Sequence, residues 1–311
     1  MSKSLLSKLF GLRCIYNVSR TNSTNTSSNT NSAVKLAHHI YKSEEKGSDK
    51  TSVVVMHGLM GSSNNWRSLS KVLCETGRKV IAVDARNHGE SPHSEHMNYF
   101  LMSDDVLRLM DGLGEERVNL IGHSMGGKVF MTLALMHPQR VENLVVVDVS
   151  PRPRPASVTP TTNSYLHSML KISSSLSDTT LTSLSKAKQH ADRILQESEQ
   201  DVSIRQFLIT NLVHKNGRFR WRVNLDAIIN NMSELGDFPE LNKQFTRPTL
   251  FVGGENSDYI GPSDIAKIQK LFPKAEVNHI ENAGHWVHAE NPQAFLKLVK
   301  SFLLENDRKT M

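Results

Sequence analysis

The chain predicts an α/β architecture: a mostly parallel central sheet flanked by helices, with a mainly helical insertion. Three observations carry that prediction. From Ser52 onward, short continuously apolar runs alternate with amphipathic segments, the pattern of strands buried on both faces beneath helices. The alternation breaks at Pro151-Arg152-Pro153-Arg154-Pro155 and resumes at Thr249, because prolines at every second position can continue neither a helix nor a central strand. One apolar run also ends in Gly122-His123-Ser124-Met125-Gly126 with a helical pattern behind it. That strand, sharp turn and helix expose a serine at the top of a sheet, and the flanking glycines relieve the crowding of the turn. A chain of 311 residues accommodates one such domain with an insertion.

The elements follow in order. Val53-Val54-Val55-Met56 is a short buried strand. Trp66 to Cys74 reads as a helix with Trp66, Leu69, Val72 and Leu73 inward. Val80-Ile81-Ala82-Val83 is the next strand, and Met102 to Leu113 is a helix carrying Val106, Leu109 and Met110 at helical spacing. Val118 to Ile121 leads into the serine turn, Lys128 to Met136 is the helix behind it, and Leu144-Val145-Val146-Val147 is the following strand. Residues 151–245 have helical segments and little strand character, except at Leu212 to Val223, where Asn216-Gly217 can turn a small hairpin. Thr249-Leu250-Phe251-Val252 and Val277-Asn278-His279-Ile280 restore the sheet, and Phe295 to Leu304 closes it with a helix. The core is thus 33–150 with 246–311, and 151–245 is expected to lie over the C-terminal edge of the sheet as a lid.

A serine hydroxyl needs a base to become a nucleophile. His285, in Asn282-Ala283-Gly284-His285-Trp286, follows the last strand and precedes the closing helix, which lets it reach back to Ser124. His279 falls inside a strand pattern and His288 lies beyond the loop. The oxyanion of an acyl-transfer intermediate needs two N–H donors. One is expected from Met125, the other from His57-Gly58-Leu59-Met60-Gly61, with Leu59 favoured by the turn at Gly58 and Met60 left open. The His57 ring is expected to shape that loop. The acid has three candidates. Gly253-Gly254-Glu255-Asn256-Ser257-Asp258 follows the first strand after the insertion, with Ser257 at the customary acid position and Asp258 one step on. Asp148 ends the strand behind the serine helix, and a right-handed crossover brings that strand beside the serine strand. Asp148 is therefore preferred, with Asp258 the alternative. Either preserves the order Ser, acid, His.

With these residues in view, the chain resembles the α/β-hydrolase superfamily. Within it, the chain is similar to the mitochondrial α/β-hydrolase domain-containing protein 11 family and its bacterial esterase relatives. The resemblance runs from about Ala33 to Leu304. It rests on His57-Gly58-Leu59-Met60-Gly61-Ser62, on Asp84 through His93 (Asp-Ala-Arg-Asn-His-Gly-Glu-Ser-Pro-His), on Gly122 through Lys128, and on Ala283 through Glu290. The second and fourth stretches are the specific ones. The resemblance implies the α/β-hydrolase fold, hydrolysis of esters or thioesters of the acyl-glycerol or acyl-coenzyme A type, a mitochondrial location and Asp148 as the acid. Arg86, Asn87 and His88 match a motif beside the site and are expected to brace it. Lys128 is expected to be a solvated helix residue or a packing contact.

Residues 1–32 hold Lys3, Lys8, Arg13 and Arg20 and no acidic residue, and Thr21 to Ser32 is nearly all Ser, Thr and Asn. Leu5, Leu6, Leu9, Phe10 and Leu12 can share one side of a short helix. A basic, acid-free, Ser-rich, amphipathic start is expected to be a mitochondrial transit peptide or, failing that, a disordered tail. Of the net charge of +6, most sits in this segment, so no nucleic-acid surface is implied. No apolar run suits a membrane span. The two cysteines suggest neither a disulfide framework nor a metal site, and His38 and His39 read as surface strand residues. No cofactor is expected. The reading is a serine esterase, lipase or thioesterase acting on a small acyl substrate, and a protein partner is not legible. The alternative is a non-catalytic binding or partner-stabilising protein on a hydrolase shell.

Overall fold

In the computed structural model, residues 14–19, 32–43, 50–154, 160–177 and 181–310 are described. The core begins with β1 (Cys14–Ser19), β2 (His38–Ser43), β3 (Val53–Met56), α1 (Arg67–Cys74), β4 (Val80–Val83) and α2 (Tyr99–Leu113). It continues through β5 (Val118–His123), α3 (Met125–Met136) and β6 (Val141–Val147). The insertion contains α4 (Pro160–Ser177), α5 (Leu184–Leu195), α6 (Val202–Ile209), β7 (Leu212–Lys215), β8 (Arg218–Trp221), α7 (Leu225–Asn230) and α8 (Met232–Gly236). The core resumes with β9 (Thr249–Gly254), α9 (Ile265–Leu271), β10 (Ala275–Ile280), α10 (Val287–Glu290) and α11 (Pro292–Thr310).

One eight-stranded sheet has the order β1-β2-β4-β3-β5-β6-β9-β10. From β4 to β10 every pairing is parallel, and β2 and β1 add antiparallel strands at one edge. Every residue of β3, β4, β5 and β9 is buried, which accounts for their largely apolar sequences. Successive side chains go to opposite faces. Val54, Met56, Leu120, Val146 and Phe251 pack with Val106, Val129 and Phe130 of α2 and α3. Val53, Val55, Ile121, Val147 and Val252 pack with Leu69 and Leu73 of α1 and with Phe295 and Val299 of α11.

Leu166, Met169, Ile172, Ala187, Leu195 and Leu208 of the insertion join the first of these layers, so the insertion shares the core of the domain. The hairpin expected at Asn216-Gly217 is β7–β8, with φ of 54° and 74° at its two turn residues, as a two-residue primed turn requires. Several elements extend past their apolar runs. α2 starts at Tyr99 because the Asn98 side chain accepts the Leu101 N–H at 3.0 Å. Most of the basic leader lies outside the described residues. Cys14–Ser19, inside that segment, forms the edge strand β1 against β2, a strand that the expected leader does not include. Main-chain pairing at an edge needs little side-chain pattern.

Candidate active site

β5 carries Ser124 to the C-terminal edge of the sheet. Ser124 has φ 52° and ψ −113° directly before α3, a strained backbone that holds its hydroxyl away from both neighbouring elements. The flanking glycines are required by distance. A Cβ on Gly122 would stand 2.4 Å from the Gly126 carbonyl oxygen, and one on Gly126 would stand 2.7 Å from the Met56 and His57 carbonyl oxygens. The serine helix therefore packs backbone to backbone against its own strand and against the loop after β3.

His285 comes from the loop between β10 and α10. Its Nε2 lies 3.1 Å from Ser124 Oγ and its Nδ1 2.7 Å from Asp148 Oδ2. Asp148 follows β6 with φ 49° and is fully buried. Its carboxylate accepts the Gly254 N–H at 3.0 Å and the Ser257 hydroxyl at 2.5 Å. With His285 that makes three donors, which offsets the loss of water around a buried charge. Ser257 occupies the expected acid region but serves as a donor to Asp148. Asp258 turns to solvent, where Arg154 binds its carboxylate at 2.6 Å and holds its pKa below the usual carboxylate range. The structure thus brings Ser124, His285 and Asp148 together and leaves Asp258 out.

The His285 loop is fastened on several sides. Glu290 accepts the N–H groups of Gly284 at 2.6 Å and Trp286 at 3.1 Å, on either side of the histidine. His123 Nε2 donates to the His285 carbonyl at 2.8 Å. A Cβ on Gly254 would meet the Gly284 carbonyl oxygen at 2.3 Å, so only glycine lets the loop lie this close to β9. The Tyr259 ring stacks on the imidazole, 3.8 Å between centroids and 22° from parallel. Arg154 covers the other face of that tyrosine at 3.9 Å. The sequence alone assigns no role to Glu290, Tyr259 or Arg154. Glu290 sits in the quoted motif, five residues after the histidine. Nothing in the local pattern pairs Arg154 with Tyr259.

The loop after β3 faces Ser124. A Cβ on Gly58 would stand 3.3 Å from Ser124 Cβ. The Met60 N–H is taken by His88 Nε2 at 3.0 Å, which leaves Leu59 as the loop's candidate donor beside Met125. His88 Nδ1 donates to the Arg86 carbonyl at 2.9 Å. His57 does the same work one layer down: Nδ1 donates to the Gly58 carbonyl at 2.7 Å and Nε2 accepts the Ala85 N–H at 3.1 Å. Both rings use one nitrogen as donor and one as acceptor, the neutral form. Burial lowers the pKa of each, that of His88 to about 3. Arg86 is fully buried and holds Asp105 through two contacts of 2.7 Å, and Asp105 accepts the Val34 N–H at 2.6 Å. These residues brace the loops around the site.

Lys128 departs from the first of its two expectations. It is not solvated; it is a buried contact, and one made through its charged end. It lies in a turn of α3 beneath the insertion, 4% exposed, and donates to the carbonyls of Gly236 at 3.2 Å and Asp237 at 2.7 Å. The apolar run through α3 conceals this, since the insertion reaches back over the helix only in three dimensions. Over Ser124 opens a cavity of about 460 Å³, walled by Leu59, Met125 and Val149 of the core and by Tyr165, Ile204, Phe207, Met232 and Leu235 of the insertion. The arrangement offers a hydroxyl with a base and an oriented acid, two amides nearby, and an apolar space, which together suit acyl transfer.

The model of the family described as alpha/beta hydrolase fold matches residues 51–292, spanning the core and the insertion. The sn-1-specific diacylglycerol lipase ABHD11 of Mus musculus is 44% identical over 252 residues, 81% of this chain and 80% of its own. Its namesake in Danio rerio is 42% identical over 277 residues, 88% of this chain and 84% of its own. Among solved structures, a marine microorganism esterase superposes with a TM-score of 0.77 at 32% identity, covering 87% of this chain and 100% of its own.

Proposed function

The chain belongs to the alpha/beta hydrolase fold family, and from that premise we propose that it is a serine hydrolase of carboxylic esters or thioesters working through an acyl-enzyme. The observation that carries the proposal is the hydrogen-bonded line from Ser124 Oγ through His285 to Asp148, 3.1 and 2.7 Å. Ser124 Oγ attacks the substrate carbonyl carbon as His285 Nε2 takes its proton. The carbonyl oxygen becomes an oxyanion facing the N–H groups of Leu59 and Met125, each such donor contributing roughly 3 kcal/mol to the transition state. Asp148 keeps the ring's Nδ1 protonated and stabilises the imidazolium. His285 returns the proton to the departing alcohol or thiol, and a water then repeats the sequence to release the acid.

The substrate class proposed is an acyl-glycerol ester or an acyl-coenzyme A type thioester, supported by the apolar wall of the cavity and, for the acyl-glycerol type, by the names of the mouse and zebrafish relatives. A fluorophosphonate probe labels Ser124 on this reading, and Ser124→Ala abolishes both labelling and turnover of an acyl-ester panel. Absence of labelling on folded protein overturns it and leaves the binding-protein alternative. A mitochondrial matrix location is proposed with it, on the acid-free basic leader. Import of the full chain into isolated mitochondria, with loss of the leader, tests that part.

A further inference from the structure

Among the described residues lining the cavity above Ser124, none is Asp or Glu, while two are permanent or near-permanent cations, Lys128 and Arg154. Asp148 is hidden behind His285 and presents no charge to the cavity. The two cations are not equivalent. Arg154 is answered by the Asp258 carboxylate at 2.6 Å. Lys128 has two neutral carbonyl acceptors and, among the described residues, no carboxylate oxygen at ion-pair distance. The nearby Asp237 directs its carboxylate to the Phe238 N–H at 2.7 Å. The Tyr99 ring lies 5.6 Å from the Lys128 ammonium, and of that group's three N–H donors the two carbonyls take only two. Burial lowers its pKa to about 8 against the opposing pull of the Asp237 carboxylate, which leaves it mostly charged at neutral pH. A buried cation with no carboxylate in direct contact is costly in a largely apolar wall. A neutral diacyl lipid gives it no compensation.

We infer that Lys128 is the specificity-determining residue of this cavity and receives an anionic group of the substrate, so that the preferred ester or thioester carries a carboxylate near its scissile carbonyl. Lys128 stands one helical turn beyond Ser124, roughly 6 Å along α3, and its backbone N–H bonds the Ser124 carbonyl at 3.0 Å. The carboxylate therefore belongs to a short chain, on either the acyl side or the leaving-group side. Binding it sets an anion in direct contact with the ammonium in a largely apolar cavity, where one charged hydrogen bond discriminates strongly. This inference rests on the hydrolase reading above.

The test compares kcat/KM for matched pairs on the full chain. One arm sets monoethyl esters of C4 to C8 dicarboxylic acids against ethyl esters of monocarboxylic acids of equal length. The other sets the acetate ester of 4-hydroxybutanoate against butyl acetate. The wild type is expected to favour the carboxylate partner at least tenfold in one arm, which also identifies the side, and Lys128→Gln to reduce that ratio by at least tenfold. If the variant does not fold, the wild-type ratio decides, together with protection of Ser124 from fluorophosphonate by the free dicarboxylate and not by the monocarboxylate. Preference for the neutral partner in both arms, or a ratio unmoved in folded Lys128→Gln, overturns the inference. In those cases Ser124 still labels and esters still turn over, whereas failure of the hydrolase reading removes both.

Discussion

Asp148 is the residue on which the roles in the site turn. It holds the imidazole at 2.7 Å while itself held by Gly254 and Ser257. Asp148→Asn preserves the shape but offers the ring the wrong partner, and is expected to lower kcat on the order of 10⁴-fold. Asp258→Asn, which removes only a surface partner of Arg154, is expected to change kcat far less. Steady-state kinetics on the two folded variants separates them, and equal losses would count against Asp148. Tyr259 acts through His285. Loss of its stack in Tyr259→Leu is expected to lower kcat by up to about tenfold, the equivalent of an aromatic pair, with KM nearly unchanged. Tyr259→Phe, which keeps the ring, should restore it. A KM effect of the same size would instead place Tyr259 against the substrate.

At the scale of elements, the site is the meeting of three loop edges held by buried polar groups. The segment after β4 is fastened by Arg86 on Asp105 of α2, both within 1% of full burial. Arg86→Met leaves the Asp105 charge alone in the core and is expected to destabilise the fold by about 3–5 kcal/mol, read as a shift in urea midpoint. A shift below about 1 kcal/mol would mean that the pair contributes no more than a surface contact. The serine turn shows the same tolerance limits in backbone atoms. Gly122→Ala sets a Cβ 2.4 Å from the Gly126 carbonyl oxygen, so α3 must shift, and loss of fluorophosphonate labelling is expected even where the variant folds. Lys128 and Asn211 tie the insertion to the core: Asn211 donates to the Met60 carbonyl at 2.7 Å, beside the expected oxyanion donors.

At the scale of the whole molecule, several imidazoles are enclosed in the folded state. Burial lowers the pKa of His88 and of His288 to about 3, and lowers those of His57 and His123 as well. In the unfolded chain each would titrate near 6.5. Between those values the unfolded state binds more protons, so stability falls as pH drops below about 6.5, by up to roughly 1.4 kcal/mol per pH unit for each such ring. The melting temperature is expected to fall between pH 7 and 5.5, before the exposed carboxylates titrate. A flat profile over that window would mean that these rings become protonated without unfolding.

Much of this was legible in the linear chain. The parallel sheet followed from apolar runs that cannot face water, and Ser124 and His285 from glycine-bearing turns placed against a strand and a helix. Asp148 could be preferred over Asp258 because a right-handed crossover constrains where β6 must lie. Those are local signals, repeated within a few residues of the atoms they concern. The tertiary structure alone decided that Ser257 supports Asp148, that Tyr259 stacks on the base and Arg154 on Tyr259, that Glu290 grips both sides of the His285 loop, and that Lys128 is buried under the insertion. Each of these depends on side chains far apart in the chain meeting across a gap of a few ångströms, and charge or aromatic character at one position carries no record of the distant residue that will face it.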